Sequence, residues 1–232
     1  MLEAELREQI CLIGQLMHRN GYVDGAAGNI SARLDTERIL TTSSGLAKGF
    51  MTPDQIIIVD MNGSRVDSPN AANQHLRPTS EIAMHLECYR QRSDIQGVVH
   101  AHPPISIALT ISGHNFTECL IPEMVMLLGI VPTLPYSTPA SDENCQAIAE
   151  AIQNHDALML AYHGSLTVAK SLWDAYLRLE NLEHSAKIIY MVYQMGGTKI
   201  HLSDKQIENL IAIRDRLGLL HPHEREQFTQ LS

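Results

Sequence analysis

The sequence has few of the features that mark several broad classes of protein. Four cysteines stand far apart and form no C-x-x-C pair, so buried free thiols in a reducing compartment are expected rather than a disulfide scaffold. No uncharged apolar run approaches the roughly 20 residues that span a bilayer. The formal net charge is −9, which argues against a general nucleic-acid surface or anionic-membrane surface.

What is present is typical of an ordinary globular protein. The chain has 232 residues, of which 44% are hydrophobic and 19% charged, and this length is ample for a substantial core. We predict a single domain over residues 1–232. The first residues, M-L-E-A-E-L-R-E, carry acids where a secretory signal carries bases, so we expect a cytoplasmic protein.

Hydrophobic periodicity alternates between helix-like and strand-like segments along the chain. The spacing predicts helices at about 3–20, 82–92, 103–113, 141–154, 171–195 and 203–217. It predicts a turn running into a short strand within G-A-A-G-N-I-S-A-R-L (25–34), and a strand ending in a hydroxyl-rich turn in R-I-L-T-T-S-S-G (38–45). Further extended segments are predicted at 55–60 with a hairpin to 64–67, and at 95–100, 130–136 and 156–162. Alternating strands and helices without a repeat favour an α/β fold, with a sheet covered by helices.

Two histidines end one predicted strand. His100 and His102 lie in V-V-H-A-H-P-P, and side chains at i and i+2 of a strand point to the same face. Neutral imidazoles are common zinc ligands, and a catalytic zinc site keeps one position open. The alternative is a pair of solvent-facing histidines at the end of a strand.

A third histidine strengthens the case for a metal. His163 follows the buried run D-A-L-M-L-A-Y and precedes Gly164, where a sharp turn or a close backbone approach is permitted. Two strands that end in histidine can place three imidazoles at one sheet edge, where α/β folds usually bind ligands. Six other histidines are predicted at the surface: His18, His155, His184, His201, His221 and His223.

Glu81 adds a carboxylate close in sequence to this strand. It follows P-T-S at the predicted start of a helix, and it could serve as a general base or as a fourth metal ligand. Acids are favoured in the first turn of any helix, so a purely structural role stays open at this point.

Three turns are rich in glycine and small polar residues. They are Gly28-Asn29, Ser43-Ser44-Gly45 and Thr79-Ser80. Glycine turns and helix N-termini direct backbone N–H groups outward, and such groups bind phosphate without lysine or arginine. The same residues also form ordinary turns and helix caps, so a shared function depends on whether the turns converge.

In order, these segments resemble the class II aldolase/adducin family. The matching motifs are G-A-A-G-N-I-S-A-R, L-T-T-S-S-G, P-T-S-E, D-I-Q-G-V-V-H-A-H-P, P-Y-S-T-P and the H-G after A-L-M-L-A-Y. Together they run from about residue 5 to 200. The functional type that the sequence most resembles is L-fuculose-phosphate aldolase.

The resemblance implies a three-layer α/β/α sandwich around a mixed sheet, and a homotetramer with active sites between subunits. It implies Zn²⁺, or another divalent metal such as Mn²⁺, on His100, His102 and His163, with Glu81 as the catalytic acid/base. It also implies a phosphorylated sugar as substrate. The phosphate-binding residues that it implies are Asn29, Ser44, Gly45, Thr79 and Ser80.

The chain departs from the family pattern at two tyrosine positions. Family aldolases carry a tyrosine shortly after an I-P pair, and here I-P-E-M-V-M-L places Met126 there. A second family tyrosine near the C-terminus is replaced by Leu217. A thioether cannot donate a proton, so Glu123, His114 or a water is left as the alternative donor.

The resulting expectation is reversible cleavage of a ketose 1-phosphate to dihydroxyacetone phosphate and an aldehyde. Three alternatives stay open. The same site could act as a pentulose-phosphate 4-epimerase or a sugar-acid decarboxylase, although epimerases of the family usually carry aspartate where Glu81 stands. The aldehyde could come from 5-deoxy- or 5-methylthioribulose 1-phosphate. An adducin-like assembly module is the non-catalytic alternative.

Overall fold

The computed structural model describes residues 2–114, 116, 120–196 and 200–231, with side chains as far as residue 228. Within these ranges, seven strands form one sheet in the order β3-β2-β1-β4-β7-β6-β5. The strands are β1 (Asn29–Arg33), β2 (Arg38–Thr41), β3 (Ile57–Asp60), β4 (Gly97–Ala101), β5 (Thr133–Leu134), β6 (Ala157–Leu160) and β7 (Gly164–Ala169). Only β5 and β6 pair in parallel within the described chain; the other neighbours are antiparallel.

Helices cover both faces of the sheet. They are α1 (Glu3–Arg19), α2 (Ile82–Gln91), α3 (Pro104–Ile111), α4 (Asp142–Ala151), α5 (Leu172–Gln194), α6 (Asp204–Arg216) and α7 (Glu224–Leu231). Because successive strand residues face opposite sides, Val99 packs with α1 and α5 while Val98 packs with α2 and α4. The predicted three-layer α/β/α arrangement around a mixed sheet is confirmed.

Helix α1 illustrates how the sequence produces this packing. Its buried residues Leu6, Ile10, Ile13 and Met17 recur every three or four positions and form one apolar stripe against the sheet. Acids occupy its first turn and bases its last turn, which complements the helix dipole. The chain then leaves the helix at Gly21, whose φ of 73° is readily adopted by glycine.

A further apolar layer lies beyond β6. A π-helical turn, Met124–Leu128, packs with α3 and the second half of α5. Helices α6 and α7 cover its outer side through Ile207, Ile211 and Phe228. This part of the chain therefore extends the sandwich rather than the sheet.

Several predicted boundaries differ from the observed ones. The strand predicted at 55–60 starts at Ile57 because Pro53–Gln55 forms a 3₁₀ turn. The predicted hairpin to 64–67 is reduced to one bridge between Val59 and Arg65. Strand β7 was not predicted, because Gly164 was interpreted as a turn, and α7 and the π-helical turn were also missed.

The cysteine and membrane predictions have simple outcomes. Cys11 and Cys88 are buried and free, and Cys145 is free but only half-buried. Cys119 lies outside the described residues. No helix in the described ranges is both long enough and apolar enough to cross a bilayer.

Candidate metal centre and anion-binding turns

Three strands bring the predicted histidines to one edge of the sheet. Strands β4 and β6 flank β7 and both run antiparallel to it, so the ends of β4 and β6 meet the start of β7. His100 lies in β4, His102 just beyond it, and His163 in the short turn between β6 and β7. The expected convergence at one sheet edge is therefore present in the structure.

The three imidazoles form a compact triangle. Ring centroids lie 4.9 Å apart for His100 and His102, 4.8 Å for His100 and His163, and 5.0 Å for His102 and His163. One nitrogen from each ring lies within 4.8 Å of the others. The Nε2 atoms of His100 and His102 are 3.0 Å apart, which suits two donors facing one small cation.

The surroundings keep the donor nitrogens available. His100 Nδ1 lies 2.9 Å from the Ser165 carbonyl oxygen, so Nδ1–H donates there and the Nε2 lone pair is free. Burial lowers the pKa of His100 well below its usual value, and the neighbouring His102 and His163 lower it further. Burial, and then His163, also lower the pKa of His102. Neutral imidazoles of this kind could hold a divalent metal.

Glu81 faces the triangle from the start of α2. Its Oε2 lies 3.4 Å from His100 Nε2, and its Oε1 lies 3.5 Å from His163 Nε2. Oε1 is buried without a hydrogen-bond partner in the described chain, as is Nδ1 of His163. The carboxylate thus faces two imidazole nitrogens and keeps one buried oxygen without a partner among the described residues. Such a group could contact a bound cation or carry a proton. The donor set therefore fits a divalent metal.

Two of the predicted anion turns lie side by side. A bridge joins Ser43 to Pro78, and the Thr79 N–H donates to the Thr42 carbonyl. Ser44, Gly45 and Ser80 are exposed beside this bridge, while Thr79 is buried. Gly45 has a φ of 78°, where a side chain is disfavoured. The small hydroxyls and turn N–H groups therefore converge, although their contact with phosphate stays a prediction.

Asn29 has a different environment from the one predicted. Its Nδ2 donates to Glu81 Oε2 at 2.9 Å, and its Oδ1 lies 2.5 Å from Nε2 of His85. The side chain is almost fully buried. Asn29 is therefore tied first to the carboxylate, and a direct bond to phosphate stays a prediction.

Lys48 is a buried cation behind the anion turns. Its Nζ donates to the carbonyl oxygens of Ala26 and Leu46 at 2.8 and 2.7 Å, which links the turn before β1 to the turn after β2. It forms no ion pair with a carboxylate of the described residues. Burial lowers its pKa to about 8, and the negative charge of Glu81 opposes this. An ammonium here makes the local field more positive than the net charge suggests.

Gly164 permits the close approach that brings the histidines together. A Cβ atom there would overlap the Ala101 carbonyl oxygen and would lie about 3 Å from the rings of His100 and His102. The turn itself places its positive φ of 61° on the preceding Tyr162. Of the two predicted roles of Gly164, the structure therefore shows the close approach.

Comparison with known proteins adds the family to this geometry. Residues 8–190 match the family model described as Class II Aldolase and Adducin N-terminal domain, which is more than half of the chain. The chain belongs to this family.

Three relatives show the range of activities named within the class II aldolase family. The 3-oxo-tetronate 4-phosphate decarboxylase of Escherichia coli K12 is 31% identical over 82% of this chain and 89% of its own length. The 5-methylthioribulose-1-phosphate/5-deoxyribulose-1-phosphate aldolase of Escherichia coli O45:K1 is 33% identical over 82% and 91%. The crystal structure of L-fuculose-1-phosphate aldolase from Thermus thermophilus has a TM-score of 0.70, with 27% identity over 85% and 100%.

The segment that departs from the family pattern is held by a buried ion pair. Arg214 Nη1 donates to the Met126 carbonyl oxygen at 3.1 Å, and its Nε lies 2.7 Å from Glu224 Oε2. Glu224 Oε1 in turn accepts from the Ile130 N–H. A Cβ at Gly129 would overlap that oxygen. The π-helical turn carrying half-buried Met126 is therefore held at Met126 itself and just beyond its C-terminal end.

The other proton donors considered are not part of this site in the chain. Glu123 and His114 form no hydrogen bond or ion pair with the triad or Glu81 within the described residues. The His114 ring instead packs edge-on against Tyr193, with centroids 4.2 Å apart. Leu217, at the position of the second family tyrosine, is exposed at the end of α6.

Two residues next to the site are not predicted from the sequence. His85 is fully buried and lies four positions after Glu81, a spacing that places both on one helix face; this signal was available. Lys48 gave no such signal, because a lone lysine in a turn is usually solvated.

Proposed function

We propose that this chain is a metal-dependent carbon–carbon lyase that releases dihydroxyacetone phosphate from a phosphorylated sugar or sugar acid. The observation that carries the proposal is the convergence of three imidazoles and one buried carboxylate beside two small-residue turns. The first candidate is the one predicted from sequence, aldol cleavage of a ketose 1-phosphate such as L-fuculose 1-phosphate.

In this proposal His100, His102 and His163 hold Zn²⁺, or another divalent metal such as Mn²⁺, through Nε2. When bound, such a cation supplies Lewis acidity that stabilises negative charge on the substrate's carbonyl oxygen. The Nδ1–H of His100, held by the Ser165 carbonyl, fixes the orientation of that ring. The protein thus presents a rigid donor set at the end of two strands.

Glu81 carries the proton in this proposal. When the carbon–carbon bond breaks, its electron pair stays on the carbon next to the carbonyl and is shared with the carbonyl oxygen. Glu81, having taken up a proton from solvent before the bond breaks, then donates it to that carbon, which gives dihydroxyacetone phosphate and returns Glu81 to the carboxylate. Its position 3.4 and 3.5 Å from two imidazole nitrogens supports this role.

The anion turns orient the substrate. Ser44, Thr79 and Ser80 would bind the phosphate through their hydroxyls, and Gly45 and Ser80 through backbone N–H groups, with Asn29 beside them. Lys48 lies behind these turns and adds positive potential without touching the solvent. Binding the phosphate fixes the reacting carbon relative to Glu81, which is a contribution of orientation.

Decarboxylation of a 3-oxo-tetronate 4-phosphate is the second candidate, and Met126 favours it. Aldol cleavage requires a base to remove the proton of the hydroxyl that becomes the aldehyde, and a thioether cannot do this. Loss of CO₂ needs no such base, and it leaves the same electron pair on the same three-carbon phosphate. Relatives named as 3-oxo-tetronate 4-phosphate decarboxylases support this candidate.

A product assay distinguishes these reactions. Protein stripped with a chelator and reloaded with Zn²⁺ or Mn²⁺ would be given L-fuculose 1-phosphate, 5-deoxy- and 5-methylthioribulose 1-phosphate, and 3-oxo-tetronate 4-phosphate. Dihydroxyacetone phosphate would be measured with a coupled dehydrogenase, alongside CO₂ and aldehyde. Metal-dependent release with either co-product supports the proposal and selects the candidate. No release from any substrate by metal-loaded protein rejects it and favours an epimerase or an adducin-like module.

We further propose a homotetramer, as the family resemblance implies. Light scattering coupled to size-exclusion chromatography should give four times the mass of one chain. A monomer at micromolar concentration would contradict this assembly. All residues of the active site would then have to come from one chain.

A further inference from the structure

A continuous line of hydrogen bonds crosses the interior from α2 to the candidate site. Tyr89 Oη lies 2.9 Å from Ser31 Oγ, and Ser31 Oγ lies 2.6 Å from His85 Nδ1. His85 Nε2 lies 2.5 Å from Asn29 Oδ1, and Asn29 Nδ2 donates to Glu81 Oε2 at 2.9 Å. The line thus ends on the carboxylate that faces the histidine triad.

The local structure explains why these side chains align. Glu81 immediately precedes α2, and His85 and Tyr89 follow it at four-residue spacing on one face of that helix. Asn29 and Ser31 lie two residues apart in β1, so both side chains point to the face that α2 covers. Every member except Glu81 is at most 3% exposed, so water does not compete for these bonds.

Glu81, the last group of the line, determines which atom donates and which accepts in each of its hydrogen bonds. Glu81 as a carboxylate only accepts hydrogen bonds, so Asn29 presents Nδ2 to it and Oδ1 to His85. That oxygen requires an N–H on His85 Nε2. Burial lowers the pKa of His85 to about 3, so its ring carries a single N–H and Nδ1 accepts from the Ser31 hydroxyl. The Tyr89 hydroxyl can then donate to Ser31.

We propose that His85 is a positioning residue for Glu81: its Nε2–H holds the Asn29 amide in the one orientation that offers an N–H to the carboxylate. Without that donor the amide can rotate by half a turn and place its oxygen against Glu81. Two acceptors then face each other, and the carboxylate moves away from His100 and His163. This inference builds on the proposed function, in which Glu81 transfers the proton.

Two substitutions of the same residue separate positioning from packing. In His85→Gln the amide nitrogen can occupy the place of Nε2 and still donate to Asn29. In His85→Asn the shorter amide reaches only the place of Nδ1, next to Ser31. We expect His85→Gln to keep most of the turnover, and His85→Asn to lower kcat by about a hundredfold with KM and metal content unchanged.

Cys88→Ala provides the matched control for a change inside α2. Cys88 is also fully buried in α2, and its Sγ contacts only the Met84 carbonyl among hydrogen-bond partners in the described chain. If His85 acts only through packing, kcat will follow the melting temperature in all three variants, and His85→Gln will match His85→Asn. That result would overturn the proposal.

Tyr89→Phe and Ser31→Ala keep the test decisive should the His85 variants fail to fold. The first removes only a hydroxyl and leaves the ring under the Arg33 guanidinium, 4.8 Å from its centroid. The second removes the donor to His85 Nδ1. We expect a larger fall in kcat for Ser31→Ala than for Tyr89→Phe, because Ser31 contacts His85 directly. Unchanged kcat in both would contradict the proposal.

The tautomer of His85 can be measured without any substrate. Long-range ¹H–¹⁵N NMR spectra of the metal-loaded protein should show a proton on Nε2 and none on Nδ1 of His85. A proton on Nδ1 instead would mean that His85 donates to Ser31 and not to Asn29, and it would overturn the inference. This readout also separates the two proposals, because it stands even if no tested sugar phosphate is cleaved.

Discussion

The titratable groups at the two ends of strand β6 differ in whether they have partners within the chain. Before β6, the Asp156 carboxylate is contacted by Arg92 at 2.7 Å, Arg178 at 3.2 Å and His221 at 3.2 Å. Beyond β6, His163 joins two other histidines around a carboxylate oxygen that has no hydrogen-bond partner in the described chain. The Asp156 carboxylate is therefore paired within the protein, whereas the groups beyond β6 include a donor and an acceptor atom without a partner among the described residues.

The same contrast appears in the titration of the two ends. Burial alone would raise the pKa of Asp156, but a hydrogen bond from His221 and the charges of Arg178 and Arg92 hold it well below its usual value. At the other end, burial and neighbouring rings lower the pKa of His100 and His102. Removing one partner of a compensated buried pair leaves an unpaired charge, whereas neutral donors without partners can receive a cation.

Cavity size alone points to the end of β6 opposite the proposed site. A cavity of about 620 Å³ lies beside Asp156, against about 400 Å³ for the one beside His102. The larger cavity is lined by Arg92, Arg178 and His221, which already contact Asp156. The proposed site therefore rests on the unpaired donors and acceptors of its lining groups within the described chain and not on cavity volume.

The largest expected effect comes from removing one imidazole of the open end. His102→Ala should lose the bound metal and all measurable turnover, because the substitution removes one of the three donor atoms that hold the cation. Metal content by plasma mass spectrometry and melting of the metal-free protein would be measured together. His184→Ala, at an exposed histidine of α5, is the control. Full metal occupancy in His102→Ala would reject the site.

Glu81→Gln tests the proton carrier with the metal in place. The amide keeps the size of the side chain but cannot transfer a proton, so turnover should fall by about 10²- to 10⁴-fold while metal content stays the same. Steady-state kinetics on the best substrate would show this as a loss in kcat. Undiminished turnover would remove Glu81 from its assigned role.

Breaking the compensated end should affect stability instead. Asp156→Asn leaves Arg92 and Arg178 without their shared carboxylate, and the free energy of unfolding should fall by about 3–5 kcal/mol. Urea denaturation measures this, with metal content expected to be unchanged. Asp94→Asn is the control, because Asp94 also pairs with Arg92 but is exposed, so its loss should cost about 1 kcal/mol or less. Equal effects of the two variants would contradict the comparison.

Lys48 gives the smallest effect, as a dependence on pH. Its folded pKa of about 8 lies below its ordinary value of 10.5, so between these values the unfolded chain binds the extra proton. The free energy of unfolding should therefore rise with pH across this window, by up to about 1.4 kcal/mol per pH unit, relative to Lys48→Met. Parallel pH curves for wild type and Lys48→Met would contradict the buried ammonium, and the exposed Lys170→Met serves as control.

The open end could be predicted from sequence to a larger extent than the compensated end. His100, His102 and His163 each follow a short apolar run, and a local pattern of this kind indicates the end of a strand. Asp156, Arg178 and His221 meet only through tertiary packing, and no local pattern joins them. His155 and His221 were accordingly predicted at the surface, and both are half-buried.

The same reasoning explains what was missed within the site. The Ser44 and Thr79 turns were predicted individually, but their pairing depends on the bridge from Ser43 to Pro78, which joins distant parts of the chain. The hydrogen bonds through His85 require α2 to pack on β1 so that His85 reaches both Asn29 and Ser31. Such contacts follow from packing, which composition and periodicity do not encode.

An anomalous-scattering map of zinc-loaded crystals tests the central claim most directly. The account predicts one strong peak per chain, at about 2.1 Å from the Nε2 atoms of His100, His102 and His163, and no peak beside Asp156. A peak at Asp156, or none at the three histidines in protein that binds one equivalent of zinc, would contradict it.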